Sequence, residues 1–326
     1  MSELLEIENL SVRFPVHKKR TAFRDKSYLT AVDSINFNIK AGETLAIVGE
    51  SGSGKTTAAL AIARLTSGLT SGTVRLNGTD ILDQDEKGLR EMRRKIQVIF
   101  QDPYSSLNPR QRAEDIVREP LDNLTNESRA AKDRIVDELF AAVGLRPEQK
   151  HLFPHQFSGG QRQRIGIARA LSTRPKLIIC DEPVSALDVA VQAQILNLLR
   201  QLQTEFSLTY LFISHDLGVV QHMCDRVAVM YMGKIVEYSD RMTLFTNPRH
   251  PYTKALLSAV PTVSAKRQSK ESRILISGDP PDPLNMPLGC RFASRCSKVS
   301  TKCHESEPEL SRKSDGGRVA CHFINV

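Results

Sequence analysis

Residues Leu45–Thr57 combine the residue types that hold a polyphosphate. An apolar run with strand character ends at Gly49, and a glycine-rich loop then leads through Lys55 and Thr56 into an alanine-rich segment. This is the P-loop pattern G-x-x-x-x-G-K-[ST] in its strand–loop–helix setting. Glycines let backbone N–H groups turn towards phosphates, and the helix N-terminus adds partial positive charge. A chance glycine-rich turn is the alternative, but the flanking elements favour a nucleoside triphosphate site. The residues predicted to line it are Gly49, Ser51, Gly52, Ser53, Gly54, Lys55, Thr56 and Thr57.

Roles within this site follow from side-chain chemistry. Lys55 is expected to reach the β- and γ-phosphates, and the Thr56 hydroxyl is expected to hold Mg²⁺. Asp181 and Glu182 close a second apolar run. Asp181 is predicted to join the Mg²⁺ shell, and Glu182 to orient or deprotonate the attacking water. Paired acids after a strand can instead form a solvated cap, but a P-loop in the same chain favours the catalytic interpretation.

A third segment, Ser158-Gly159-Gly160-Gln161, precedes a predicted helix Arg162–Leu171. Exposed N–H groups at a helix start can bind an anion. Ser-Gly-Gly alone indicates only a turn. The segment predicts an anion site because of its position relative to the other motifs in the chain.

Alternating strands and helices must position these residues. Buried strands are predicted to end at Gly49, Gln101, Asp181 and His215, and helices separate them. The pattern predicts an α/β fold with a mostly parallel sheet, in which ligands bind at the carboxyl ends of the strands. The early region is expected to be antiparallel, since Leu5 to Phe14 largely alternates and Asn77-Gly78 favours a hairpin turn. Pro15–Thr30 is predicted to be a loop, and Ala113–Val143 to be helical.

Composition and length favour an intracellular enzyme of more than one domain. The chain has 326 residues, and Met1–Leu10 carries acidic residues without an apolar signal core. No apolar run approaches the roughly 20 residues that span a bilayer. The net charge of +8 is spread out. Anionic lipid and nucleic acid are alternatives to a basic solvated surface, but no compact basic run with interleaved aromatics predicts a nucleic-acid groove.

The motifs together resemble the ATP-binding cassette (ABC) ATPases over Leu4 to Asp240. The resemblance implies a P-loop NTPase of the ABC type whose two nucleotide-binding domains dimerise head to tail. Each ATP then lies between one P-loop and the partner's signature segment. By the resemblance, Gln101 links the site to the membrane partner, His215 contacts the γ-phosphate and Asp188 reaches across the dimer. The resemblance also implies an aromatic side chain that stacks on adenine. We predict that this residue is Phe14, with Phe23 and Tyr28 as alternatives. The motifs that carry the resemblance are Gly49–Thr56, Gln101, Ser158-Gly159-Gly160-Gln161, Ile178–Glu182, Ser185-Ala186-Leu187-Asp188 and His215.

The rest of the chain resembles the ATP-binding subunits of oligopeptide, dipeptide and nickel importers. That resemblance implies a second ATPase, identical or related, two transmembrane permease subunits and an extracytoplasmic solute-binding protein. It places the chain peripherally on the cytoplasmic face of the inner membrane and predicts no nucleic-acid partner. It favours di- or oligopeptides as the class of solute, without identifying the solute itself. The domains expected are 1–240, with a helical subdomain at about 102–173, and a small irregular extension at 241–326. A cassette ATPase acting on nucleic acid or the ribosome is the alternative class. The segments concerned are Gln101–Arg110, Asn247–Leu257, Gly278–Pro281, Gly289–Phe292 and Arg295–Cys296.

Four of the six cysteines crowd into the tail: Cys290, Cys296, Cys303 and Cys321. Four thiolates can bind Zn²⁺ or a [4Fe–4S] cluster, and the spacing alone does not choose. Resemblance to the importer tail favours the cluster, with Arg291 and Arg295 offsetting its charge, and His304 and His322 keep mixed ligation open. Thr262–Ser272 is predicted to be a linker. Cys180 and Cys224 are predicted to be buried structural thiols.

Overall fold

The computed structural model describes residues 3–16, 27–259, 274, 276, 278–313 and 315–323. Three short 3₁₀ turns accompany the regular elements, at Pro147–His151, Pro154–Gln156 and Ala293–Arg295. Within these residues the strands are β1 (Glu3–Val16), β2 (Ser27–Lys40), β3 (Thr44–Val48), β4 (Leu69–Leu76), β5 (Thr79–Asp80), β6 (Ile96–Ile99), β7 (Leu177–Asp181), β8 (Thr209–Ser214), β9 (Arg226–Tyr231), β10 (Lys234–Asp240), β11 (Ser311–Arg312) and β12 (Arg318–Val319). The α-helices are α1 (Lys55–Ile62), α2 (Glu86–Lys95), α3 (Ala113–Leu124), α4 (Arg129–Ala142), α5 (Gly159–Leu171), α6 (Val189–Phe206), α7 (Leu217–Met223), α8 (Arg241–Thr246), α9 (Pro251–Ser258) and α10 (Thr301–Glu305).

The central sheet has the strand order β11-β12-β10-β9-β3-β8-β7-β6. The strands from β9 to β6 in that order are parallel, whereas β10, β12 and β11 pair antiparallel. Every residue of β3, β7 and β8 is buried. Continuous apolar runs of this kind are expected where helices cover both faces of a parallel sheet. The predicted mostly parallel α/β sheet is therefore confirmed.

The P-loop strand β3 lies between β8 and β9, and its last residue, Val48, is level with Ser214 and Val229. β7 is the next strand beyond β8, where Asp181 lies opposite Ile213. The carboxyl ends of β3, β7 and β8 therefore meet at one edge of the sheet. This register brings the loop after Gly49 close to Asp181, Glu182 and His215.

A second, antiparallel sheet has the order β2-β1-β4-β5, with the predicted Asn77-Gly78 turn between β4 and β5. Pro15–Thr30 was predicted to be a loop, and its two ends are strand instead. Pro15 pairs with Tyr28, and Val16 pairs with Ser27. All four of these residues are at least partly exposed.

Helices α3, α4 and α5 pack together beside the central sheet. The predicted helical stretch from Ala113 to Val143 is two helices, because Ser128 accepts a hydrogen bond from the N–H of Ala131 and starts a new one. Helix α5 begins at Gly159, three residues earlier than predicted. Ser158 and Gln161 cap it reciprocally, each side chain bonding the other's backbone N–H.

The tail joins the central sheet rather than standing apart. β12 pairs with β10, with Glu237 opposite Val319, and the N–H of Ala320 donates to the carbonyl of Val236 at 2.9 Å. The predicted linker Thr262–Ser272 lies outside the described residues. Among the described helices, none has the length and apolar character that a membrane crossing needs.

Candidate nucleotide-binding site

The P-loop wraps tightly at positions where the chain tolerates no side chain. Gly54 has φ +102°, and a Cβ there would lie 2.3 Å from the carbonyl oxygen of Ala31. At Gly49 a Cβ would lie 2.1 Å from the carbonyl oxygen of Met230. Glycine is therefore required at both positions, because neighbouring backbone carbonyl groups leave no room for a Cβ atom.

Lys55 begins α1 and is buried beneath the loop. Its Nζ donates to the carbonyl oxygens of Gly49 and Glu50, both at 2.9 Å. Burial lowers the pKa of Lys55, while the carboxylates of Glu182, Asp181 and Glu50 oppose that shift. The hydroxyl of Ser53 is also buried, with no hydrogen-bond partner among the described residues. A buried ammonium and an unpaired hydroxyl beneath a glycine loop fit a polyphosphate.

Thr56 and Asp181 are joined by a hydrogen bond, with the Thr56 hydroxyl donating to Asp181 Oδ1 at 3.0 Å. Burial raises the pKa of Asp181 and the Glu182 charge adds to this rise, whereas Thr56 and Lys55 lower it. A hydroxyl and a carboxylate are oxygen ligands of the kind that Mg²⁺ prefers. These two side chains therefore fit a Mg²⁺ ion that also contacts phosphate.

Glu182 lies between the side chains of Gln101 and His215. Gln101 Nε2 donates to Glu182 Oε2 at 2.9 Å, and His215 Nδ1 lies 3.0 Å from Glu182 Oε1. Glu182 itself has φ +45°, a conformation that non-glycine residues rarely adopt. Its N–H donates to the carbonyl of Ile213 at 3.0 Å, which fixes this bend. The bend turns the carboxylate out of β7 towards the ends of β6 and β8.

A cavity of about 670 Å³ lies above these groups. That volume is typical of small-molecule sites. Phe14 lines it and Tyr28 does not, while Phe23 lies outside the described residues. Leu29 and Ala31 line it too. The sequence did not indicate them, because Leu29 lies in the segment predicted to be a loop and Ala31 directly follows that segment. The predicted residues at its wall are Phe14, Ser51, Gly52, Gly54, Lys55, Thr56, Thr57, Gln101, Glu182 and His215.

The signature residues Ser158, Gly159, Gly160 and Gln161 and the predicted Asp188 are not in that wall. They form a separate group at the starts of α5 and α6. A Cβ at Gly160 would lie 2.6 Å from Val191 Cγ1, so the start of α5 lies against the start of α6. Asp188 caps α6 by accepting from the N–H of Val191 at 3.0 Å.

The four tail cysteines are neighbours, but the structure does not support the predicted [4Fe–4S] cluster. In the described ranges, which include all four, no set of three or more Cys, His, Asp or Glu side chains is arranged to hold a metal ion. Burial raises the pKa of the Cys290 thiol to about 11, and the other three thiols add to this rise. The same arrangement does not support the alternative of a Zn²⁺ site either.

The predicted roles of nearby tail residues need correction as well. Arg291 pairs with Asp33 and Arg295 with Glu50, so both guanidinium groups are already neutralised by carboxylates of the cassette. His322 Nε2 lies 2.9 Å from the carbonyl oxygen of Ser306. Cys180 and Cys224 are 0% and 1% exposed, so the prediction that they are buried is confirmed.

Comparisons with known proteins agree with this geometry. The profile of the ABC transporter family matches residues 32–185, and that of the oligopeptide/dipeptide transporter C-terminal region matches residues 236–303. The oligopeptide transport ATP-binding protein AppF of Bacillus subtilis is 48% identical, covering 99% of this chain and 98% of its own. The dipeptide transport ATP-binding protein DppF of Haemophilus influenzae is 44% identical, covering 99% and 97%.

Solved structures place the fold in the same group. The ATP-binding cassette MJ0796, in a dimeric post-hydrolysis state bound to ADP and Pi, superposes with a TM-score of 0.64 at 29% identity, covering 73% of this chain and 99% of its own. The P-loop at the end of β3, the acids at the end of β7 and the matched ABC transporter profile together identify an ABC-type ATPase. The chain belongs to the family of ABC transporter ATPase subunits that carry the oligopeptide/dipeptide transporter C-terminal region.

Proposed function

We propose that this chain hydrolyses ATP to drive the uptake of di- or oligopeptides through a membrane ABC importer. The observation that carries the chemistry is the placement of Glu182 between Gln101 and His215, at the wall of the cavity that also holds Lys55 and Thr56. The peptide class is supported by the match of residues 236–303 to the oligopeptide/dipeptide transporter C-terminal region, and by the relatives' names.

Each side chain has a proposed task. Lys55 binds the β- and γ-phosphates, exchanging its two carbonyl partners for phosphate oxygens. Thr56, Asp181 and Gln101 would hold Mg²⁺, which would neutralise phosphate charge. Glu182 takes the proton of the attacking water, and His215 keeps the Glu182 carboxylate oriented and contacts the γ-phosphate. Phe14 stacks on adenine from its place in the cavity wall. The backbone N–H groups of Gly49 and of Ser51 to Thr57 would surround the phosphates, whereas that of Glu50 is bonded to Tyr252.

The site is proposed to be completed by a second ATPase subunit. Ser158–Gln161 and Asp188 lie at the starts of α5 and α6, outside the cavity wall, and present helix N-termini. Such N-termini attract anions. In a head-to-tail pair, the signature segment of one subunit would close over the γ-phosphate held by the other. The partner is either a second copy or a related subunit.

The permease is proposed to dock in a groove between the central sheet and the α3–α5 helices. Leu65 and Phe100 are 47% and 37% exposed there, beside Glu119 and Arg169. Phe100 directly precedes Gln101, so a protein seated in this groove would lie next to a residue that touches Glu182.

The chain is proposed to comprise a nucleotide-binding domain at 1–240, with a helical subdomain at about 102–173, and an extension at 241–326. The whole would sit peripherally on the cytoplasmic face of the inner membrane, with two permease subunits and an extracytoplasmic solute-binding protein.

Uptake measurements test this function. A strain that lacks the chain should lose accumulation of labelled di- or oligopeptides, and the wild-type chain should restore it. Glu182→Gln should not restore it, whereas Glu91→Gln, on exposed α2, should. Restored uptake by Glu182→Gln would overturn the catalytic assignment. Unchanged peptide uptake together with ATPase activity stimulated by nucleic acid would favour the other class of cassette ATPase.

A further inference from the structure

Glu50, the P-loop residue that follows Gly49, is held by the tail. Its carboxylate accepts from Arg295, with Nη1–Oε2 and Nη2–Oε1 distances of 2.8 and 3.2 Å. Its backbone N–H donates to the hydroxyl of Tyr252 at 2.8 Å. Its carbonyl oxygen accepts from Lys55 Nζ at 2.9 Å. Two tail residues and the phosphate-binding lysine therefore meet at one residue of the loop.

Both tail partners are held firmly. Tyr252 is 0% exposed, and the Arg295 side chain is 8% exposed. Tyr252 packs against Tyr231 and Phe292, with ring centroids 4.7 and 5.5 Å away. Arg295 Nη1 also lies 3.3 Å from the Tyr231 hydroxyl. Side chains fixed in this way can fix a third residue, because their own freedom is already lost.

We propose that Arg295 and Tyr252 are positioning residues for the P-loop. Neither lies in the cavity wall. They act by holding Glu50, and thereby the carbonyl oxygen that orients Lys55 before nucleotide binds. A two-pronged guanidinium–carboxylate pair fixes direction as well as distance, which suits this task. The inference rests on nucleotide binding at the P-loop.

Nucleotide affinity measures the effect directly. Trinitrophenyl-ATP with Mg²⁺ should bind Arg295→Ala about tenfold more weakly than wild type, within the range usual for coupling between sites. Arg295→Lys should recover only part of the loss, because lysine keeps the charge but not the fork. Tyr252→Phe removes one hydroxyl and keeps the packing, so it should show a smaller loss. The matched control is Arg249→Ala, which breaks a tail ion pair with Asp315 and removes neither of the tail contacts to Glu50.

A double-mutant cycle separates positioning from general weakening of the tail. Glu50→Gln and Arg295→Ala should each weaken binding, and the double variant should be little worse than either. The KM for ATP should rise while kcat changes little, since the loop binds ground state and transition state alike. Additive losses, or equal losses in Arg249→Ala and Arg295→Ala, would show that the tail acts only through stability and would overturn the proposal.

Coupling between two sites is reciprocal, so nucleotide must also act on the tail. Nucleotide should slow amide hydrogen exchange in residues 290–303 of the full-length wild-type protein, and not in Arg295→Ala. Identical exchange in the wild type with and without nucleotide overturns the inference. A wild type that binds no trinitrophenyl-ATP contradicts the proposed nucleotide site itself, so the two failures are distinguishable.

Discussion

The side-chain amide of Gln101 donates a hydrogen bond of 2.9 Å to the carboxylate of Glu182. The two residues follow different strands, β6 and β7, which are adjacent in the central sheet. Gln101 also follows Phe100, at the end of the groove in which the permease is proposed to dock. The proposed base is thus in direct contact with the residue through which a docked permease can influence it.

Glu182→Gln should abolish hydrolysis while leaving nucleotide binding intact. An amide can still accept the Gln101 hydrogen bond, but it cannot take a proton from water. Loss of a general base lowers the rate by roughly 10²–10⁴-fold. Phosphate release and trinitrophenyl-ATP binding measure the two properties separately. Turnover near that of wild type would place the base elsewhere.

Lys55→Ala should weaken nucleotide binding itself. The substitution removes a buried ammonium from beneath the phosphate loop, and hydrogen bonds to charged groups contribute about 1.5–3 kcal/mol each. An increase of at least about tenfold in the dissociation constant is therefore expected. Lys95→Ala, at an ion pair with Glu91 on the helix surface, is the control and should bind normally. Equal affinity in both variants would contradict the role of Lys55.

Two inactive variants should restore activity when they are mixed. Lys55→Ala disables the P-loop, and Ser158→Arg blocks the signature segment at the start of α5. In a symmetric head-to-tail pair, a mixed dimer keeps one intact site, so an equal mixture should regain up to about a quarter of wild-type hydrolysis. Wild-type activity should also rise more than linearly with protein concentration. A mixture that stays inactive, or a specific activity independent of dilution, would argue against shared sites.

Acid should destabilise the fold through His250. This residue is 2% exposed, and burial lowers its pKa to about 4 from the usual 6.5. The unfolded chain therefore binds more protons below pH 6.5, and stability falls as the pH drops from 6.5 towards 4. Between pH 7 and pH 5 the loss should be about 2 kcal/mol.

The comparison variant for that measurement is His250→Asn. His250 Nδ1 accepts the N–H of Tyr252 at 3.1 Å, and asparagine can keep an acceptor at this helix start. Urea unfolding at pH 7 and pH 5 should show a smaller pH difference in the variant. The buried Glu237 beside His250 titrates in both proteins, so it cancels in the comparison. An unchanged pH difference would mean that another group is responsible.

Much of the nucleotide site could be predicted from the sequence because its signals are local. Gly49, Asp181 and His215 each follow a short apolar run, and buried parallel strands produce such runs whatever surrounds them. The signature segment at Ser158 also carries a local capping pattern. At these residues the local sequence pattern predicts the element that the structure has, and the predicted strand ends meet at one edge of the central sheet.

Other features have no local signal. Glu50 and Arg295 are separated by 245 positions, and nothing in either neighbourhood indicates that they meet. β11 and β12 have two residues each, too few for an alternating pattern. The tail cysteines show the reverse case, in which a local sequence signal is present but the structure does not support the site that it predicts. Their crowding in the sequence predicts a metal centre, whereas the described arrangement brings the thiols near one another without the geometry of a metal site.

The pairing of β12 with β10 bears on how the protein is made. β12 lies far downstream of β10 in the sequence, and it covers the backbone of a strand that the ribosome releases much earlier. Until Arg318 and Val319 emerge, β10 presents an open edge next to the buried side chains of Ile235 and Val236. Exposed strand edges recruit other chains. A nascent or truncated chain that stops before β12 therefore leaves this edge of β10 unpaired, so premature termination there should yield aggregates rather than a working cassette.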